Sequence, residues 1–202
     1  MHPGSQGRHN GGMTVTTDRG TEQFTRMDES TKEQWMEIVT EHGKGAARVP
    51  ERILGMLRSL DEIVDGFSTD QLTHCLQTAT LAEKAGADEE VIVASLCHDI
   101  GKAVTVSNHG AIAAEILKPY VRPDVYNMIR VHQDFQGRHY YEHLGMDPNA
   151  REQYQGEPWF DLTAQFADEW DQIAFDPNAE TYPLEHFEPM VRRVFTHGAV
   201  AG

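Results

Sequence analysis

Histidine and aspartate residues in the middle of the chain are the side chains best suited to chemistry. One of them, His98, is followed directly by Asp99 at the end of the most hydrophobic helical pattern in the sequence. A titratable pair at the end of a buried helix costs free energy unless a partner satisfies it, and a bound cation does so. Four histidines on or beside apolar patterns accompany Asp99 and together indicate a metal site: His74, His98, His109 and His132.

The donor types restrict which metal such a site would hold. Imidazole nitrogens suit Fe, Mn, Zn or Co, whereas Mg and Ca sites consist almost wholly of oxygen ligands. Neighbouring residues on a straight helix point about 100° apart, so His98 and Asp99 can both reach a metal only where the helix ends. Gly101 permits that ending, and the two carboxylate oxygens of Asp99 would allow it to bridge two ions. The alternative is that each histidine is a hydrogen-bonded core residue, and an adjacent His-Asp pair also occurs by chance.

Helical patterns supply the elements that must position these residues. Ser30 and Glu33 have the form of a capping box for a first helix that stops at Gly43, and Pro50 begins a second helix. Apart from the short segment 104–106, strand signals are nearly absent. The sequence therefore predicts an all-α fold, a helical bundle of a single domain.

The later helices follow the same logic. Ser68 or Thr69 is predicted to cap a third helix that runs to Gly86, and Asp88 to cap a fourth. The nearly continuous apolar run 91–96 predicts that the fourth helix is buried on most sides. Further helical patterns cover about 108–118, 123–133, 159–173 and 184–196.

Composition narrows the class of protein. The 202 residues carry 17 Lys and Arg against 32 Asp and Glu, a formal net charge of −15, and they contain no basic run. That balance argues against a nucleic-acid partner, because phosphate binding depends on clustered Lys and Arg. No stretch approaches the roughly 18 apolar residues of a membrane span or the apolar segment of a secretory signal. Cys75 and Cys97 are too few for a disulfide framework, so we expect free thiols in a cytoplasmic protein with no membrane partner.

The first 27 residues differ from the rest of the chain. They are polar and rich in Gly and Thr without apolar periodicity, which predicts a disordered leader, residues 1–27, ahead of a helical domain, residues 28–202.

Three segments carry a resemblance to a known family. The chain resembles the HD-domain superfamily in Gln71-Leu72-Thr73-His74, in His98-Asp99-Ile100-Gly101-Lys102 and in Glu169-Trp170-Asp171-Gln172. The resemblance implies that one metal is bound by His74, His98, Asp99 and Asp171. His109 and His132 match the positions that supply a second metal in the dinuclear members.

Within the dinuclear members the chain looks most like the small mixed-valent diiron oxygenases. This resemblance covers about residues 67–190 and implies two iron ions, Fe2+ and Fe3+, with O2 as co-substrate. Ala85-Gly86-Ala87-Asp88 and Tyr154-Gln155-Gly156 resemble the hydroxyphosphonate oxygenases that cleave a carbon–phosphorus bond, as do Trp170-Asp171 and Glu185-His186-Phe187. Met128-Ile129-Arg130 before His132, and Arg138 before Tyr140, resemble myo-inositol oxygenase instead.

Cationic side chains are the candidates for contact with the substrate. Lys102, one helical turn beyond His98, is predicted to be catalytic and to meet an anionic or hydroxylated small molecule at the metals. Arg138 and Arg151 are further candidates, because a guanidinium group suits phosphonate or carboxylate oxygens. The alternatives are a solvated lysine and two surface charges. The stretch 148–151 lacks the small hydroxyl residues of the phosphonate enzymes, and 64–67 lacks their Tyr and Glu.

Several functions remain open from sequence. The first is diiron, O2-dependent cleavage of the carbon–phosphorus bond of a small 1-hydroxyphosphonate, as in organophosphonate catabolism. The second is cleavage of another polar alcohol in the manner of myo-inositol oxygenase, and the third is an HD-type metal-dependent phosphohydrolase. A binding module without catalysis is disfavoured by the full set of six candidate ligands. A homodimer is an open alternative to a monomer.

Overall fold

The computed structural model describes residues 23–197, and these residues form helices and connecting turns with no strand. The predicted all-α fold is confirmed. Nine α-helices are described: α1 Lys32–Ala46, α2 Val49–Ser59, α3 Gln71–Lys84, α4 Glu89–Cys97, α5 His109–Leu117, α6 Pro123–Arg130, α7 His132–Gln136, α8 Phe160–Gln165 and α9 Leu184–His197, with a π-helix, Phe166–Asp171, after α8.

The chain separates into two compact units at Gly43. In the first unit, the capping box of α1 lies one residue later than predicted. The backbone N–H of Thr31 donates to Oε1 of Gln34 at 2.7 Å, and the N–H of Gln34 donates to Oγ1 of Thr31 at 3.3 Å. Helix α1 continues past Gly43 to Ala46, so the predicted stop at Gly43 is wrong. Most of the predicted leader, residues 1–22, lies outside the described residues.

Helix α4 lies at the centre of the second unit, because every residue from Val91 to Cys97 is buried. Asp88 caps this helix as predicted, with Oδ1 accepting the backbone N–H groups of Glu90 and Val91 at 3.1 and 3.2 Å. Helices α3, α6 and α9 pack against α4, and α5 packs against α6. Both cysteines, Cys75 and Cys97, are buried and free.

Helix α3 begins with a different cap from the predicted Ser68 or Thr69. Oδ1 of Asp70 accepts the backbone N–H of Thr73 at 2.8 Å, and Oδ2 of Asp70 accepts the Thr73 hydroxyl at 2.7 Å. A carboxylate can accept both hydrogen bonds at once, which explains why Asp70 takes the position.

Two of the predicted helices are interrupted where they approach the candidate ligands. Residues 123–133 divide at Val131, where φ is −116° and ψ is 10°, so that His132 begins the short helix α7. Residues 159–173 form α8 and then the π-helix, which ends at Asp171. The segment 104–106 is not a strand, and Val104 is 70% exposed.

Among the described residues, no helix combines the length and the apolar character that crossing a membrane requires.

Candidate metal centre

The end of α4 brings two adjacent candidate ligands to one point. Helix α4 stops at Cys97, His98 is its C-terminal cap, and Asp99 leaves helical geometry with φ −102° and ψ 6°. On a continuing helix these neighbours would diverge by about 100°. The change of backbone direction instead allows both buried side chains to face the same interior space.

All four candidate histidines are oriented by main-chain carbonyl groups. A carbonyl oxygen only accepts hydrogen bonds, so the Nδ1 atom facing it must carry the proton. The neutral ring then presents Nε2 as an unprotonated lone pair, the arrangement typical of metal-binding histidines. The four Nδ1–carbonyl distances are 2.9 Å for His74 to Ala174, 2.8 Å for His98 to Ser95, 2.8 Å for His109 to Val106 and 2.7 Å for His132 to Ile129.

The Nε2 atoms meet in two pairs. Those of His74 and His98 are 3.0 Å apart, and those of His109 and His132 are 3.3 Å apart. Two unprotonated nitrogens cannot hydrogen-bond to each other, so a metal ion between the members would stabilise each pair. We call His74, His98 and Asp171 the first cluster, and His109 and His132 the second cluster.

Asp99 lies between the two clusters and presents one oxygen to each. Its Oδ2 atom is 3.4 Å from Nε2 of His98 and 3.7 Å from Nε2 of His74. Its Oδ1 atom is 2.9 Å from Nε2 of His109 and 3.8 Å from Nε2 of His132. One carboxylate therefore has the geometry of a bridge between two ions.

Asp171, at the end of the π-helix, completes the first cluster. Its Oδ1 atom is 3.1 Å from Nε2 of His74 and 3.5 Å from Nε2 of His98. Both of its oxygens are buried and lack a hydrogen bond within the described residues, as does Oδ1 of Asp99. The donor atoms of His74, His98 and Asp171 lie within 4.8 Å of one another, as do those of His98, Asp99 and His132. Orphaned carboxylate oxygens beside imidazole nitrogens fit a transition-metal ion.

Electrostatics inside the cluster also favour a cation. Burial raises the pKa of Asp99, but His98 and His109 outweigh burial and hold that pKa well below its usual range. Burial lowers the pKa of His98, but Asp99 and Asp171 outweigh it and raise that pKa well above its usual value. Burial lowers the pKa of His132 to about 4. Without metal, a proton on His98 relieves the first cluster, whereas His132 takes up none near neutral pH.

Two glycines allow the close packing of the second cluster. A Cβ atom on Gly101 would lie 2.2 Å from the backbone oxygen of His109, so only glycine lets the turn after Asp99 approach the start of α5. A Cβ atom on Gly110 would lie 2.9 Å from Cε1 of His132. The ring of His132 therefore occupies the space that a side chain at position 110 would take.

Aromatic rings pack against the histidines. The ring of Phe175 stacks on that of His74 with centroids 4.2 Å apart. Phe166 makes edge contacts with His98 and His132 at 5.4 and 6.1 Å. These rings exclude water from the sides of the cluster and limit rotation of the imidazoles.

The three residues predicted to contact the substrate lie at two different places in the structure. Nζ of Lys102 lies 2.7 Å from Oδ2 of Asp99 and joins the cluster. Arg151 instead contacts Oδ2 of Asp168 at 2.9 Å, and Arg138 lies 3.6 Å from the same oxygen. Asp168 therefore draws both guanidinium groups together, a contact that sequence spacing did not reveal.

Gln71 is a neighbour of the cluster to which the sequence analysis gave no role. Its Oε1 atom accepts a hydrogen bond from Nζ of Lys102 at 2.8 Å. The spacing in the sequence could have indicated this position, because Gln71 precedes His74 by three and residues three apart on a helix share a face.

Comparison with known proteins agrees with this geometry. No curated protein matches the chain. The model of the HD-domain family matches residues 72–176, just over half of the sequence, and the matched segment begins just before His74 and ends just after Asp171. The chain therefore belongs to the HD-domain family.

Proposed function

We propose that the protein is a mixed-valent diiron oxygenase that uses O2 to cleave the carbon–phosphorus bond of a small 1-hydroxyphosphonate. The observation that carries this proposal is the position of Asp99, with one oxygen facing His98 and the other facing His109. Two iron ions bound there would supply Lewis acidity toward the substrate hydroxyl and a site for O2 reduction.

The residues of the chain would prepare the site in three ways. The main-chain carbonyls fix each histidine in the tautomer that offers Nε2. Asp99 and Asp171 supply negative charge that offsets the charge of the ions. Lys102, whose side chain is 12% exposed, would attract the anionic group of the substrate to the edge of the cluster.

Two further functions fit the same bridged geometry. Paired metals bridged by a carboxylate also serve phosphate-ester hydrolysis, so a metal-dependent phosphohydrolase is the second candidate. Cleavage of a neutral polyol, as in myo-inositol oxygenase, is the third. Four of the six candidate ligands are imidazoles, a donor set that fits iron and also fits the zinc or manganese of a hydrolase. Asp168 binds Arg138 and Arg151, which withdraws both guanidinium groups from phosphonate and phosphate-ester oxygens alike.

Metal analysis and turnover distinguish the candidates. Protein purified under low oxygen is expected to hold two iron ions per chain and to give the electron paramagnetic resonance signal of a coupled ferrous–ferric pair. Oxygen uptake is then screened with 1-hydroxyphosphonates and polyols, and phosphate release with phosphate esters. Zinc or manganese together with phosphatase turnover would overturn the oxygenase in favour of the hydrolase.

The second cluster can be tested separately. His109→Ala removes one Nε2 donor and leaves the first cluster intact, so we expect a folded protein with one ion and no oxygen uptake. Circular dichroism and metal analysis provide the checks. Retention of both ions with full activity would show that the second cluster is not a metal site.

A further inference from the structure

The ammonium group of Lys102 is held on two sides. It donates to Oδ2 of Asp99 at 2.7 Å and to Oε1 of Gln71 at 2.8 Å. An ammonium group has three hydrogens, and these two are its acceptors among residues 23–197. One N–H of Lys102 therefore remains for a ligand.

The amide of Gln71 has a definite orientation. Lys102 can only donate, so the amide atom that faces it must be the oxygen. The amide nitrogen, Nε2, is buried and has no hydrogen-bond partner within the described part of the chain. The Gln71 side chain is completely buried. A buried donor without an acceptor is destabilising, and a ligand oxygen would relieve it.

The two unused donors are close together. The amide oxygen and nitrogen of one glutamine are about 2.2 Å apart, which puts Nε2 of Gln71 within about 5 Å of Nζ of Lys102. The oxygens of one phosphonate or carboxylate group lie about as far apart as the oxygen and nitrogen of one amide group. A single oxyanion can therefore accept from both donors, whereas a neutral hydroxyl gains less from an ammonium donor.

The surroundings place the lysine of this donor pair beside an exposed aromatic ring. The ring of Phe67 lies 5.8 Å from Nζ of Lys102 and stacks on Phe175 with centroids 4.9 Å apart. Phe67 is 46% exposed, so the lysine lies at the edge of the cluster that solvent reaches.

We propose that Gln71 is a positioning and specificity-determining residue. Its Oε1 atom holds the Lys102 ammonium beside Asp99, and its Nε2 atom is the second donor to an oxyanion of the substrate. This inference rests on the proposed function, and it assigns the site to anionic substrates such as phosphonates rather than to neutral polyols.

Binding of an anion without turnover tests the inference. Methylphosphonate is the probe, and myo-inositol is the neutral comparison, each titrated calorimetrically into the iron-loaded protein under argon. Gln71→Met removes both functions of the amide, and we expect methylphosphonate to bind about tenfold or more weakly. Gln71→Glu keeps an oxygen for Lys102 but removes the amide N–H donor and adds a negative charge. It is therefore expected to weaken methylphosphonate binding at least as much. Neither change is expected to alter myo-inositol binding by more than about twofold.

Gln77 supplies the matched control. It is a buried glutamine on the same helix, 2% exposed, and its Nε2 atom already donates to the backbone oxygen of Asp176 at 2.7 Å. Gln77→Met is expected to leave methylphosphonate affinity unchanged. Unchanged affinity in Gln71→Glu, or equal losses in the Gln71→Met and Gln77→Met proteins, would overturn the inference. Because the readout is binding, absence of oxygenase turnover would refute the proposed function without affecting this result.

Discussion

The two clusters on either side of Asp99 are built in different ways. The first joins His74, His98 and Asp171, which come from α3, the end of α4 and the π-helix. The second joins His109 and His132, which come from α5 and α7, only 23 residues apart in the sequence. The first cluster therefore depends on packing across most of the helical unit, whereas the second depends on the local approach of neighbouring elements.

The donor counts of the clusters differ as well. With Asp99 included, the first offers four protein donors and the second offers three. An ion bound by the second cluster would therefore keep more positions for water or substrate. From this difference we expect the first cluster to hold its ion more tightly and the second to exchange its ion more readily.

Replacing the shared carboxylate should have the largest effect, because it belongs to both clusters. In Asp99→Ala we expect loss of both ions, with metal content near zero after gel filtration and no turnover. Asp134→Ala is the control, since Oδ2 of Asp134 accepts the hydroxyl of Tyr154 at 2.7 Å and lies outside both clusters. An Asp99→Ala protein that retains two ions would disprove the bridging geometry.

A smaller effect is expected from a substitution that disturbs only the second cluster. In Gly110→Ala the new methyl group would press on Cε1 of His132 at 2.9 Å, so that ring must move. We expect iron affinity of the second cluster to fall roughly tenfold while that of the first is unchanged, as measured by anaerobic iron titration.

Gly55→Ala is the matched control for that substitution. A Cβ atom at Gly55, within α2, meets nothing within 4 Å. It should leave metal binding unaltered and stabilise the protein by up to about 1 kcal/mol through helix propensity. Equal effects of Gly110→Ala on both ions would contradict the independence of the clusters.

The smallest expected difference between the two clusters is in the release of protons when each ion binds. Because Asp99 and Asp171 outweigh burial and raise the pKa of His98, the first ion competes with a proton for this imidazole. Affinity for the first ion should therefore rise with pH until the pKa of His98 is passed. His132, with a pKa of about 4, is already deprotonated at pH 7 and releases no proton.

Calorimetry in buffers of different ionisation enthalpy measures this release. We expect about one proton per first ion, all of it attributable to His98. A proton released from His132 on binding of the second ion would contradict the assignment.

The parts of the fold that follow local rules could be predicted. The helical pattern, the Asp88 cap and the ending of α4 beside His98 and Asp99 follow from apolar spacing and capping chemistry. The resemblance pointed to the same six residues that the structure brings together, and their role as ligands stays a prediction. Membership of the HD-domain family is confirmed by the matched segment.

Apart from the caps of α1 and α3 and the end of α1, which are local, the features that the sequence did not reveal depend on contacts between distant segments. The contacts of Asp168 with Arg138 and Arg151 form only where three separate segments of the chain meet. The division at Val131 and the π-helix depend on how the backbone must turn to present His132 and Asp171. The contact between Gln71 and Lys102 spans 31 positions. Helical periodicity carries no information about such separations.

The anchoring of all four imidazoles by peptide oxygens has a consequence for how this scaffold can change. A peptide oxygen is present whatever amino acid occupies the position, so no single side-chain replacement at Ser95, Val106, Ile129 or Ala174 deletes an anchor. Other side chains around the centre can then be replaced one at a time while the four imidazole rings keep their orientation. The scaffold therefore suits a change of specificity by directed evolution.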